Sequence, residues 1–154
     1  FLNHTSESLD VSSYWNDTLP TDSVFTLGNA NAVNQSGVTY VAYLYAHDTE
    51  DDGVIQCGSY AGNGSATGPV ITLGWEPQWL LIKRSDSASD WRIYDNARSP
   101  TNPRVKKLLP NTSSLEDTAG EDTDFTSTGF QPKSTDAGIN ASGGTYIHMA
   151  IRAE

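Results

Sequence analysis

The stretch Gly37–Ala46, GVTYVAYLYA, has a near-twin in the same chain at Gly143–Arg152, GGTYIHMAIR. From Thr39 onward its side chains alternate, with Val41, Tyr43 and Tyr45 on one side and Tyr40, Ala42 and Leu44 on the other. A period of two belongs to a β-strand. Both rows are apolar, so the expectation is a central strand covered on both faces.

The rest of the sequence agrees in kind. No stretch keeps apolar residues at helical spacing for three turns, while Gly, Ser, Thr, Asn and Asp recur every few residues. Further strands are expected at Ser23–Leu27, Val54–Tyr60, Pro69–Leu73, Trp79–Lys83, Trp91–Tyr94, Asp124–Phe130 and Gly144–Arg152. Gly28-Asn29, Asp52-Gly53, Gly62-Asn63-Gly64 and Asp136-Ala137-Gly138 punctuate them as turns. Short strands at this spacing predict an all-β, antiparallel β-sandwich or jelly-roll-like fold.

Setting Asn34 against Asn140, an offset of 106, aligns Ser36 with Ser142, Gly37 with Gly143, Thr39 with Thr145, Tyr40 with Tyr146 and Val41 with Ile147. The shared motif is N-x-S-G-x-T-Y-[VI]. Because the offset is even, Ile147, Met149 and Ile151 take the face of Val41, Tyr43 and Tyr45, the row expected to point inward. The middle, Val54 to Lys107, has no second copy. Two organisations stay open. In one, residues 1–47 are the C-terminal half of a preceding repeat unit and 48–154 a complete unit of an array. In the other, two similar halves pack as one pseudo-symmetric sandwich. The start at Phe1 carries the expectation of a piece of something longer.

Composition narrows function. The 154 residues carry a formal charge of −10, which disfavours nucleic acid and anionic membrane surfaces. The longest apolar run, Val70 to Ile82, is broken by Gly74, Glu76 and Pro77, short of the roughly 20 residues that span a bilayer. The single cysteine, Cys57, excludes an internal disulfide.

Four blocks then carry a resemblance: Gly58–Pro69 (GSYAGNGSATGP), Gly74–Asp86 (GWEPQWLLIKRSD), Asp90–Asp95 (DWRIYD) and Asn140–Arg152. Together they resemble an uncharacterised β-rich repeat domain of virion structural proteins of marine bacteriophages and of ocean metagenomic sequences. Tyr14–Gly28 and Thr39–Ala46 resemble the C-terminal half of the same domain. The resemblance implies a tail, fibre or other surface appendage at the virion surface or outside the cell, with other virion subunits or neighbouring repeats as partners. It implies no enzyme activity and no catalytic residues.

On their own terms, Trp75, Trp79 and Trp91 are the candidate ligand-binding residues, since exposed indoles stack on the apolar faces of sugars; the competing reading makes them core. Asp48, Glu50 and Asp52, followed by Gly53, alternate as calcium ligands do, but Ser59 stands where a bidentate Glu would close the loop. A solvated linker is the favoured reading there, with no cofactor, and the acidic run Glu116–Asp124 reads the same way. His4, His47 and His148 are scattered, and no hydrolase elbow, zinc helix or P-loop occurs. The expected function is a non-enzymatic structural or adhesion module. The alternatives are a carbohydrate-binding module for host-surface glycans and a homo-oligomer joined through edge strands.

Overall fold

A computed structural model describes residues 4–50, 53–120 and 122–152. They form two compact units, Ser8–Leu44 and the remainder. In chain order the elements are α1 (Ser12–Trp15), α2 (Asn31–Asn34), β1 (Ile55–Ala61), β2 (Ile71–Thr72), β3 (Pro77–Arg84), β4 (Trp91–Asp95), β5 (Thr123–Thr126), β6 (Gly129–Pro132), α3 (Ala137–Asn140) and β7 (Thr145–Arg152). The helices are single turns, and the fold is all-β.

The larger unit holds a four-stranded sheet ordered β1-β7-β3-β4 and a three-stranded sheet ordered β2-β6-β5. Every pair is antiparallel. Strand β7 is one of the two inner strands: Tyr146 lies opposite Tyr60 of β1 and Ala150 opposite Leu80 of β3. Its inward row is Tyr146, His148 and Ala150, all buried, whereas Ile147 is exposed. The expectation that Ile147, Met149 and Ile151 point inward is therefore corrected. What decides the face is the aromatic cluster: Tyr146 stacks on Tyr60 with centroids 4.9 Å apart, and Phe130 of the other sheet meets Tyr60 edge-on at 5.9 Å. Ile71, Leu73, Trp75, Leu80, Ile82, Tyr94, Phe125 and Ile139 complete the same core cluster.

Asp124–Phe130, expected as one strand, is instead a hairpin whose turn is Ser127-Thr128. Gly129 closes it at φ 154°, where a Cβ would fall 1.9 Å from the Ile71 carbonyl oxygen. Only glycine fits that approach.

The smaller unit departs furthest from expectation. Neither Ser23–Leu27 nor Thr39–Ala46 forms a strand. Val41 is 77%, Tyr43 80% and Leu44 73% exposed. The physical reason lies in what surrounds the twin. Strand β7 has β1 on one edge and β3 on the other, and the sequence contains no second copy of either for residues 39–46 to pair with. An extended chain without edge partners gains no ladder.

Ahead of this stretch three side-chain hydrogen bonds nevertheless recur at the same offset. The Tyr146 hydroxyl donates to Ala137 O and accepts from the Ala141 N–H, both at 2.7 Å. The Tyr40 hydroxyl donates to Asn31 O and accepts from the Gln35 N–H. Asn140 Nδ2 donates to Ser134 O and Asn34 Nδ2 to Gly28 O. Gly143 has φ +73° and Gly37 φ +76°. Each position differs from its counterpart by the sequence offset.

His148 sits edge-on to Phe130 at 5.2 Å, and its Nδ1 is buried without a hydrogen-bond partner. Burial, and secondarily His47, lowers its pKa from 6.5 to about 4. Above pH 6.5 the ring is neutral folded or unfolded. Below that the unfolded chain takes the proton first, so stability falls as pH drops from 6.5 towards 4, by about 3 kcal/mol. Urea midpoints at pH 8 and pH 4.5 should differ more for the native chain than for His148→Ala. Equal differences would show that His148 is not the group responsible.

Candidate functional site

Alternation that sends Tyr146, His148 and Ala150 inward sends a second apolar row outward. On the outer face of the four-stranded sheet, Cys57, Leu81, Trp91, Ile147 and Met149 surround a shallow depression of about 290 Å³ floored by Gly58 and His148. Leu81 is flanked by Ile93 on one side and Met149 on the other, and Trp91 lies opposite Lys83. The Trp91 N–H donates to Asn111 Oδ1 at 2.9 Å, and Asn111 Nδ2 donates to Asp90 Oδ1 at 2.7 Å, which pins the start of β4. Lys83 lays a buried stem beside this face and donates from Nζ to Thr5 O and Arg84 O. Burial, followed by the charge on Arg92, lowers its pKa.

The three candidate tryptophans separate. Trp75 is 6% exposed, within the core cluster, with an indole N–H that has no partner. It is not presented to a ligand. Trp79 and Trp91 are half-buried. Both face outward, because Trp79 shares its row with Leu81 and with Lys83, the residue opposite Trp91. Four residues of β3 separate the two positions, roughly 13 Å along the strand. The depression can cover an apolar surface, but its lining gives a sugar few groups to orient hydroxyls. The Cys57 thiol is half-buried at its edge, and burial raises its pKa.

At the acidic loop, Asp48 Oδ1 accepts from the Glu50 N–H, while Asp51 and Asp52 lie outside the described residues. Among the described residues no three His, Cys, Asp or Glu side chains gather as a metal site, and no helix is long and apolar enough to cross a membrane.

The run Glu116–Asp124 is not simply a solvated linker. Asp117 pairs with Lys107 at 3.0 Å, Glu116 approaches Arg98 and Lys106, and Asp124 approaches Lys133. Lys107 is fully buried, and its ammonium also donates to Ala119 O. The Ala119 N–H, and then Lys107, hold the Asp117 carboxyl below its usual range. Arg104, also buried, donates to Ser99 O, reaches Glu76 at 3.2 Å and lies over the Phe125 ring. Sequence alone does not single out these cations, since burial of a lysine is decided by chains distant in sequence. Asn140 is different: it belongs to the repeated motif, and it ties the Asn63–Ser65 loop to α3 through three hydrogen bonds, one accepted by its Oδ1 and two donated by its Nδ2, whose two hydrogens it also shares with Ser134 O.

Replacing Lys107 by Ala empties a fully buried site and leaves the Ala119 carbonyl without its donor, while the Asp117 carboxylate, 39% exposed, turns to water, so stability should fall by about 1–3 kcal/mol. Lys106→Ala, at an exposed pair, should cost less than about 1 kcal/mol. Urea unfolding of the two variants checks the order, and equal losses would assign Lys107 no special weight.

No curated protein and no solved structure matches the chain. A family model described as a domain of unknown function, DUF7483, matches residues 1–154, and the chain belongs to that family.

Proposed function

We propose that the chain is a non-enzymatic structural or adhesion module, a β-sandwich repeat unit of a viral tail, fibre or other extracellular surface appendage. Its partners on this reading are neighbouring repeats and other subunits of the same particle. The observation that carries the proposal is the hydrogen-bond set shared by Tyr40 and Tyr146, and by Asn34 and Asn140, at one constant offset. Such a set supports reading the two segments as one structural unit used twice, and repeated units serve to extend a chain and to display surfaces along it. The resemblance of the Gly58–Pro69, Gly74–Asp86 and Asp90–Asp95 blocks to virion proteins supports the location. A net charge of −10 supports solubility of densely displayed copies, and in sea salt its self-repulsion is screened within roughly 3–5 Å.

A second reading is favoured by Trp79 and Trp91 sharing the outer face: recognition of host-surface glycans by stacking. Calorimetric titration with a panel of bacterial surface polysaccharides separates the two. The spacer reading expects no saturable heat. Saturable binding that Trp91→Ala weakens at least tenfold would replace it with the glycan reading, and turnover of any polysaccharide would overturn both. Limited proteolysis of the full chain should first cut between residues 39 and 50, leaving the sheets beyond residue 53 intact by circular dichroism.

A further inference from the structure

The geometry points to Thr39–Ala46 as an inner strand of a second four-stranded sheet, whose flanking strands, of the β1 and β3 kind, come from a preceding and non-identical module of the same polypeptide. The inference rests on the repeat reading above and names the partner that reading leaves open. Three observations carry it.

The first is the preformed frame. Helix α2, the Tyr40 hydroxyl clamp and the left-handed Gly37 reproduce α3, the Tyr146 clamp and Gly143. In the larger unit this frame delivers the following strand into the slot between β1 and β3. Residues 39–46 leave the same frame with both apolar rows uncovered.

The second is the partly filled asparagine. Asn140 Nδ2 donates to Ser134 O, to Asn63 Oδ1 and to Ser65 O, and its Oδ1 accepts from the Asn63 N–H. Asn34 makes only the counterpart of the Ser134 bond, to Gly28 O. The bonds without a counterpart are those to the loop after β1. That loop is what the missing strand pair would bring.

The third fixes the partner's chemistry. Gly58 of β1 is opposite His148, and a Cβ there would fall 2.7 Å from His148 Cε1. In the first copy Ala42 replaces His148 and Leu44 replaces Ala150, which is fully buried against Gln56 and Leu80. The inward row has exchanged a large-small order for a small-large one. A strand pair identical to β1 and β3 would leave a hole at Ala42 and crowd Leu44. The fitting partner carries a side chain where β1 has Gly58 and more room where β3 has Leu80. This excludes a second copy of the present chain, whose own slot β7 already fills.

The test is hydrogen–deuterium exchange on the full chain and on the chain extended by a second copy of residues 48–107 joined ahead of Leu2. The extended chain is made with the native strand and with Ala42→His and Leu44→Ala, which restore the order of β7. In the unextended chain the amides of 39–46 should exchange at open-chain rates. In the extended double variant they should slow by roughly 100-fold or more, approaching those of 145–152. The native extended strand should be protected less. The proposal is overturned if residues 39–46 stay open in the extended double variant while 145–152 remain protected, whether or not the added strands fold. Equal protection of the native extended strand would overturn the non-identity of the partner. Concentration-dependent protection of 39–46 in the unextended chain, with dimers in sedimentation, would make a second copy the occupant instead. Glycan binding or turnover bears on the spacer reading and leaves the exchange result untouched.

Discussion

Everything in the larger unit depends on β7 having hydrogen-bond partners on both edges and an aromatic cluster against one face. An isolated strand has neither a ladder nor a core, and in water it gains too little to fix its backbone. With β1 and β3 in place, the backbone groups of Thr145–Arg152 are paired on both sides, and Tyr146 is sealed between Tyr60 and α3. Burying an aromatic side chain of this size contributes on the order of 2–3 kcal/mol. The same words at Thr39–Ala46, without those neighbours, form no strand at all.

The tyrosine hydroxyl adds a second constraint, because it fixes where β7 begins. Donating to Ala137 O and accepting from the Ala141 N–H, it occupies both ends of a single-turn helix that would not survive alone. Asp136 assists by capping the Gly138 N–H at 2.7 Å. At the matching position of the smaller unit stands Ala30, which offers no side-chain cap. The hydroxyl clamp is retained where the cap is not, so it is the tyrosine rather than the cap that defines the motif.

Much of the fold was legible because it rests on local alternation. Pro77–Arg84, Trp91–Asp95 and Thr145–Arg152 all fall where a period of two predicts strands. Two things were not legible. Which row of β7 faces inward could not be read from hydrophobicity, since Ile147, Met149 and Ile151 are more apolar than Tyr146, His148 and Ala150. The aromatic partners Tyr60 and Phe130 decide it, and they lie far away in sequence. Nor could the failure of Thr39–Ala46 be read from its own residues, since Thr39, Tyr40, Val41, Tyr43 and Tyr45 all favour a strand. At the candidate site, the shared face of Trp79 and Trp91 follows from the β3–β4 register that sets Lys83 opposite Trp91, and the burial of Trp75 from the packing of the core, neither of which a single strand's alternation contains.

The buried polar groups follow the same logic one level up. Lys107, Arg104 and Asn140 each join segments that the strands leave loose: the chain after β4 to the acidic run, the Ser99 turn to Glu76, and the Asn63 loop to α3. Burying a charge or an amide is costly, and although Arg104 Nε is left without a partner, the bonds these residues do make favour one arrangement of the loops around each of them. That makes the loops between strands as specified as the strands. It also explains how a short motif, N-x-S-G-x-T-Y, can build the same turn at both of its occurrences. The motif contributes the asparagine amide and the tyrosine hydroxyl, and the backbone atoms they grip at Gly28, Asn31 and Gln35, or at Ser134, Ala137 and Ala141, lie within nine residues in either copy. The turn is local and forms wherever the motif stands, whereas the strand that follows it is non-local and forms only where a sheet is waiting.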